Sequence, residues 1–242
     1  MTNAICFQFH GRFGHFRRGE AATSALSYPV PPRTALLGLI GAILGLAKDE
    51  PQVKLEPFRV AVAGRVPMIH WHKVKLRKDP PDIPGFSVNN TQSAERTTKP
   101  EKAALIPQEW LINPFYTVWV SLPEPYHHDF AYRVRERRWY FQPSLGLSEM
   151  QAELTFLEEG NISPMPPGCH LIDSIVPQDR AEVDVMRVLD QELALNLVRM
   201  PRTVTPERVF SHAPYLVERD GRAVPVVTEV AFKVNNRVIM FL

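Results

Sequence analysis

Cysteine is scarce in this sequence: Cys6 and Cys169 are the only two in 242 residues. Two thiols exclude a disulfide framework and a four-thiolate zinc site, and they point to a reducing compartment. A long hydrophobic run is also missing. The longest, Ala35 to Ala47, has about 13 residues, against the roughly 20 that a bilayer requires. Residues 1–30 hold no basic-then-apolar leader with a small-residue cleavage site, so the expected location is cytoplasmic, with no membrane partner. No Walker phosphate loop, dinucleotide fingerprint, Ser/His/Asp motif or His-Glu-x-x-His is present, which weakens the familiar enzyme classes without removing an unfamiliar one. Proline, by contrast, is abundant: 23 residues, nearly twice the average usage of about 5%. Long stretches must therefore be irregular or extended. The hydrophobic share of 45% and charged share of 22% are those of an ordinary globular chain, one domain or one domain plus an elaboration.

The net charge is +2, yet it is segregated: +7 over residues 1–140, −8 over 141–195 and +3 over 196–242. Such separation fits one face for a polyanion and another that is solvated or meets a basic partner. Coincidence among solvated surfaces accounts for the tally equally well, since charge sums speak to partners and not to fold.

Ala4 to Phe9 is mostly apolar and reads as a buried strand. Gly11-Arg12-Phe13-Gly14-His15-Phe16-Arg17-Arg18-Gly19 follows as a loop mixing glycines, aromatics and arginines. Tyr28-Pro29-Val30-Pro31-Pro32 then feeds a helix from about Pro32 to Ala47, with proline near the first turn where its missing N–H costs nothing. Leucine and isoleucine lie on nearly every side of this helix, so it is buried. Its Gly38, Gly41, Ala42 and Gly45 permit close approach, expected here against a sheet. Phe58 to Ala63 and Pro114 to Val120 read as a second and a third strand. Between them lie about 45 residues of different character, and an insert that long is usually functional or mobile. Its Lys73, Lys75 and Arg77 alternate with Val74 and Leu76, the pattern of a strand with one basic face, so the segment reads as a β-hairpin arm. Glu149 to Glu159 reads as an amphipathic helix or strand, and Asp184 to Leu197 as a helix. Val226 to Val234 and Arg237 to Leu242 flank Asn235-Asn236, a pair suited to a tight hairpin turn. Strand, helix, strand, insert, strand is the first half of a split βαβ pattern, so the expected fold is α+β and ferredoxin-like. That fold decides no function by itself.

The run Gly11 to Arg18, followed by Ser27-Tyr28-Pro29-Val30-Pro31-Pro32-Arg33-Thr34-Ala35-Leu36-Leu37-Gly38-Leu39-Ile40-Gly41-Ala42-Ile43-Leu44-Gly45, resembles a known signature. It is similar to the amino-terminal pattern of the fifth CRISPR-associated (Cas) protein family, of the RAMP superfamily. Leu111 to Val120 and Pro143 to Glu149 resemble the same family. The resemblance implies an RRM-like (RAMP) domain over residues 1–160, with a β-hairpin thumb inserted at about 67–112, and a β-rich region over 161–242. It further implies a subunit of a type I CRISPR surveillance complex (Cascade) serving RNA-guided defence. Such a subunit holds the repeat-derived 5′ handle of the CRISPR RNA, caps the filament of backbone subunits and contacts the large subunit. Target DNA is met through the complex.

Arg12, Arg17, Arg18 and Arg33 offer bidentate phosphate contacts near a helix N-terminus. Phe13, His15, Phe16 and Tyr28 offer rings for unpaired bases, the usual grip on single-stranded RNA. Packing of these rings into the core is the alternative, and it stays open for Phe13 and Phe16 above all. With the resemblance, the loop reads as an RNA-binding site. Lys73, Lys75, Arg77, Lys78, Arg96 and Lys99 would track a nucleic-acid backbone through counterion release, or line a solvated edge strand. His70 and His72 share a strand face but have no Cys, Asp or Glu placed to complete a site, so no metal is expected. Tyr126-His127-His128-Asp129 reads as a polar loop, with acid–base RNA cleavage as the other reading. Arg133 to Tyr140 contacts RNA or an acidic partner, or forms a strand with an arginine-rich solvent face. The acidic 141–195 region suits a protein contact. The function expected is a non-catalytic RNA-binding subunit without a cofactor; a metal-independent endoribonuclease and a protein-only scaffold are the alternatives.

Overall fold

The computed structural model describes residues 3–20, 24–77 and 103–242. The chain opens with β1 (Asn3–His10), β2 (Phe13–Gly14), β3 (Phe16–Arg17), β4 (Ser27–Tyr28), α1 (Arg33–Leu44) and α2 (Pro51–Lys54). It continues with β5 (Arg59–Ala63), β6 (Met68–Arg77), β7 (Ala103–Ile112), β8 (Phe115–Ser121), α3 (Tyr126–Glu136) and β9 (Glu153–Pro164). The remainder holds β10 (Gly168–Ile172), β11 (Val176–Pro177), β12 (Ala181–Val183), α4 (Val185–Asp190) and β13 (Leu195–Val204). It closes with β14 (Phe210–Glu218), β15 (Val224–Thr228), β16 (Phe232–Val234) and β17 (Arg237–Ile239). This is a mixed α/β chain dominated by strands. Among the described residues no helix is long and apolar enough to cross a membrane.

The largest sheet has six strands in the order β17-β16-β9-β1-β8-β5. β1 runs through α1 to β5, and β8 runs through α3 to β9; in both connections one strand lies between the two ends. Alternation along the strands gives the sheet two apolar faces. Ile5, Phe7 and Phe9 of β1 point to the same side as Val60, Val62, Tyr116, Val118 and Val120, and α1 and α3 cover them with Leu36, Ile40, Ile43, Phe130 and Val134. Phe7 meets Phe130 edge-on at 5.7 Å. The opposite side carries Ala4, Cys6, Ala61 and Trp119, and the end of the chain covers it with Val234, Ile239 and Phe241. Burial there pushes the Cys6 thiol up to about 12. Beyond β17 the backbone N–H of Leu242 donates to the carbonyl of Val60 at 2.9 Å, so the tail reaches from one edge of the sheet to the other.

The expected strands at residues 4–9, 58–63 and 114–120 and the first helix all form, within one or two residues at most ends. The small residues of α1 meet different neighbours from those expected. A side chain at Gly41 would overlap Pro51 of α2, and Gly45, at φ +78 in the left-handed region, lies against the Tyr140 ring. The expected helix from 184 to 197 is realised only as α4. Asp184 caps it, accepting from the Arg187 N–H at 3.2 Å, but from Leu195 the chain is β13, where buried Val198 and Met200 alternate with exposed Leu197 and Arg199. Pairing with β14 overrides helix propensity there. The 149–159 ambiguity resolves to strand. The C-terminal hairpin turns at Asn235, φ +51, but its long first arm is split: β15 pairs with β10 in another sheet and only β16 reaches β17. Tyr126 to Asp129 is the first turn of α3 and not a loop, and Arg133 to Glu136 completes that helix, so the strand reading of the arginine-rich run is overturned. Residue 160 falls inside β9, and Val198, Met200, Tyr215 and Val217 share the core beneath α1.

Phe241 seals the second face and packs on Phe232 at 5.1 Å between ring centres. Phe241→Ala is expected to cost about 3–5 kcal/mol in denaturant unfolding, against about 1 kcal/mol for Ile239→Val. A cost for Phe241→Ala below that of Ile239→Val would contradict the sealed face.

Candidate nucleic-acid interface

Residues 11–15, directly after β1, are fastened at successive points. The Gly11 N–H donates to Pro114 O at 3.2 Å and the Asn113 N–H to Arg12 O at 2.9 Å. Phe13 and Gly14 pair with Ile112 and Leu111, and the His15 N–H donates to Leu145 O at 2.8 Å. Gly146, at φ +100, lies so close to the His15 carbonyl that no side chain fits. The three stretches at 11–18, 111–120 and 143–149 therefore pack on one another, although they are spread over half the chain.

Beyond them, β3 and β4 pair Phe16 with Tyr28 and Arg17 with Ser27, and the Phe16 N–H donates to Ser27 Oγ at 2.9 Å. Glu109 of β7 then clasps this short ribbon. Its carboxylate accepts from the Ser27 N–H at 2.8 Å, its own N–H donates to Ala25 O at 3.0 Å, and its carbonyl accepts from His15 Nδ1–H at 2.8 Å. A carbonyl only accepts, so the proton of neutral His15 sits on Nδ1. Burial lowers the His15 pKa, and the hydrogen bond to Glu109 opposes that without cancelling it.

Three of the expected RNA-contacting side chains are interior. His15 is 2% exposed, Tyr28 1% and Arg33 7%. Tyr28 fills the core with its hydroxyl 3.4 Å from the Glu20 carboxylate, and burial raises its pKa. Arg33 gives Nη2 to Glu56 Oε1 at 2.8 Å and to Phe58 O at 2.6 Å, and Nη1 to Arg202 O at 3.2 Å. A buried guanidinium has to be paired in this way, and here it ties α1 to the entry of β5 and to β13. Phe16 is likewise buried. These residues shape the loop. Arg12 and Arg17 remain exposed, and Arg18 is half-buried, with Nε on Ser27 O at 3.1 Å and its guanidinium 5.2 Å from the Tyr28 ring centre.

β6 and β7 form a ribbon of ten pairs, from Met68 opposite Ile112 to Arg77 opposite Ala103. Alternation sets Ile69, Trp71, Lys73 and Lys75 on one face and Met68, His70, His72 and Val74 on the other, so the basic face expected from the sequence is present as far as Lys75. Arg77 ends β6; Lys78, Arg96 and Lys99 lie outside the described residues. Lys73 and Lys75 are exposed, and Trp71 is 53% exposed on their side. At the base of the ribbon, half-buried Phe13 packs on Trp110 at 5.1 Å, and Trp110 on His72 at 4.4 Å. The sequence alone does not single out Trp71, Glu109 and Trp110 as site residues; the aromatic content of the two strands was the available signal. Among the described residues none of Arg12, Arg17, Arg18, Lys73 and Lys75 pairs with a carboxylate.

A family model described as CRISPR-associated protein (Cas_Cas5) matches residues 4–211. The chain belongs to this family. The match covers the loop, the ribbon and the 143–149 stretch together. A CRISPR protein from Archaeoglobus fulgidus has the same fold at 13% identity, over 98% of this chain and 97% of that one, with a TM-score of 0.53. A chain of a CRISPR RNA-guided surveillance complex aligns at 16% identity over 92% of this chain and 91% of its own, with a TM-score of 0.54. No curated protein matches the sequence.

Elsewhere on this Cas5-family chain, the histidine cluster is tied into the structure. His127 is 8% exposed; its Nδ1 accepts from the Leu122 N–H at 3.3 Å, which leaves Nε2–H facing Glu159 Oε1 at 3.4 Å. Glu159 also accepts from Arg135 at 2.7 Å and Asn3 at 3.4 Å. Burial pushes its carboxyl up, but these hydrogen bonds outweigh burial and hold it below the ordinary value. Both ring nitrogens of His127 are thus engaged. His128 beside it is exposed.

The lowered pKa of His15 makes the loop acid-sensitive. The unfolded chain takes up a proton near pH 6.5 while folded His15 stays neutral, so its contribution is complete above that pH and is lost as pH falls below it. Denaturant midpoints measured from pH 7.5 to 5.5 should fall less steeply for His15→Gln than for the native chain. Parallel curves would refute a neutral His15.

Proposed function

We propose that this chain is a non-catalytic RNA-binding subunit of a type I CRISPR surveillance complex, holding the 5′ handle of the CRISPR RNA. One observation carries the reading: Arg12 and Arg17 are exposed and Arg18 half-buried, all three free of carboxylates among the described residues, on a loop paired to the base of the Lys73–Lys75 ribbon. Cations so placed neutralise phosphates and release counterions. Family membership and the likeness to a chain of an RNA-guided surveillance complex support the assignment. The order β9-β1-β8-β5, with a helix in each of its two split connections, supports the ferredoxin-like, RRM-like reading of the RAMP domain. The ten-pair ribbon supports its reading as the thumb that docks on the neighbouring backbone subunit. Capping of the filament, contact with the large subunit and encounter with target DNA through the complex follow from the same assignment, in the cytoplasm. The engagement of both His127 nitrogens supports binding without cleavage.

The purified protein, incubated with repeat RNA in EDTA, should bind it without defined cleavage. Arg12→Glu, Arg17→Glu and Arg18→Glu should each weaken binding and flatten the slope of log affinity against log salt by about 0.7 for every phosphate no longer neutralised. Unchanged affinity at every salt concentration refutes the RNA reading and leaves a protein-only scaffold. Defined cleavage abolished by His→Ala changes replaces it with a metal-independent endoribonuclease.

A further inference from the structure

Tyr140 and Phe141 are mounted rigidly and yet stand in solvent. The Tyr140 N–H donates to Ile43 O at 3.1 Å, a carbonyl of the last turn of α1, and the Phe141 N–H donates at 3.2 Å to Ala42 O, which also accepts from the Gly45 N–H. Arg133 Nη1 adds a bond to Ile43 O at 3.3 Å. Gly45 takes the Tyr140 ring where a side chain would collide with it. Despite this anchoring, Tyr140 is 64% exposed and Phe141 56%, with ring centres 4.9 Å apart at 70°. The cations beside them are exposed as well: among the described residues the Arg138 guanidinium hydrogen-bonds the Tyr132 hydroxyl at 3.3 Å and meets no carboxylate, and Arg137 has its paired carboxylate, Glu153, no nearer than 3.9 Å.

The pair also stands at the end of a path. A cavity of about 250 Å³ runs along α1 past Ala35, Gly38 and Ala42, walled by Phe16, Gln142 and Gly146, and Gly146 abuts His15 of the arginine loop. A second, of about 380 Å³, shares Gly38 and Ala42 and is bordered by Phe141. Ala35 and Ala42 are about 10 Å apart along the helix. We infer that Tyr140 and Phe141, flanked by Arg137 and Arg138, form a second stacking platform for unpaired nucleotides, reached from the arginine loop along α1. Every base has a face for an aromatic ring, so the platform accepts single-stranded RNA without reading its sequence, and the arginines meet its phosphates. The inference rests on the RNA-binding reading.

The test uses the full chain and single-stranded oligoribonucleotides of graded length carrying thiouridine. Tyr140→Leu/Phe141→Leu should weaken binding of the longer RNAs about tenfold to a hundredfold, with the salt slope unchanged, because ring stacking and not charge is removed. Arg137→Glu/Arg138→Glu should flatten the slope. In the native protein, photo-crosslinks located by mass spectrometry should fall on Tyr140 or Phe141, a readout independent of variant folding. Unchanged affinity and absent crosslinks, while Arg17→Glu/Arg18→Glu still weakens binding, overturn the platform, make the rings a protein-docking face and leave the loop assignment standing. If neither the ring pair nor the loop arginines alter affinity when substituted, the RNA-binding reading itself is overturned.

Discussion

Glu109 offers three polar groups to the segment between β1 and α1, and all three are taken: carboxylate by Ser27, N–H by Ala25, carbonyl by His15. Polar groups withdrawn from water have to find partners, and leaving one unmet costs about 1–3 kcal/mol. The loop consequently has one low-energy way to lie against β7. Its backbone and its buried rings are consumed by that fit, while the guanidinium groups of Arg12 and Arg17 are left over. The cationic surface is a remainder of the packing.

The six-stranded sheet reinforces this division. A sheet of RRM type reads unpaired bases on the face away from its helices. Here Val234, Ile239 and Phe241 pack with Trp119, which is 3% exposed, whereas Phe115 at the end of β8, on the same face, is 44% exposed and stacks on His10 at 5.3 Å.

Elements whose burial is local are readable from the sequence. β1, α1, β5 and β8 alternate or saturate with apolar residues because the layers on either side dictate each position, and the alternation of Lys73 with Val74 reports the ribbon for the same reason. What is not readable depends on partners far along the chain. Nothing near Arg33 announces Glu56, 23 residues on, or the Arg202 carbonyl, 169 residues on. His15 and Tyr28 look like surface rings until Glu109 and the β3–β4 ribbon bury them. β13 reads as helix because Asp184 starts one and leucines follow, and only its ladder with β14 says otherwise.

Phe13, Trp110 and His72 form a continuous file of rings from the loop to the ribbon. Rings in contact transmit displacement, since neither can shift without opening a void beside the other. The ribbon and the loop at its base therefore behave as one lever. Under the proposed assignment, a subunit docked on the Lys73–Lys75 face would also set the angle of Arg12, whose guanidinium lies over Phe13. Assembly with that subunit and grip on the guide would then be two readings of a single mechanical coordinate.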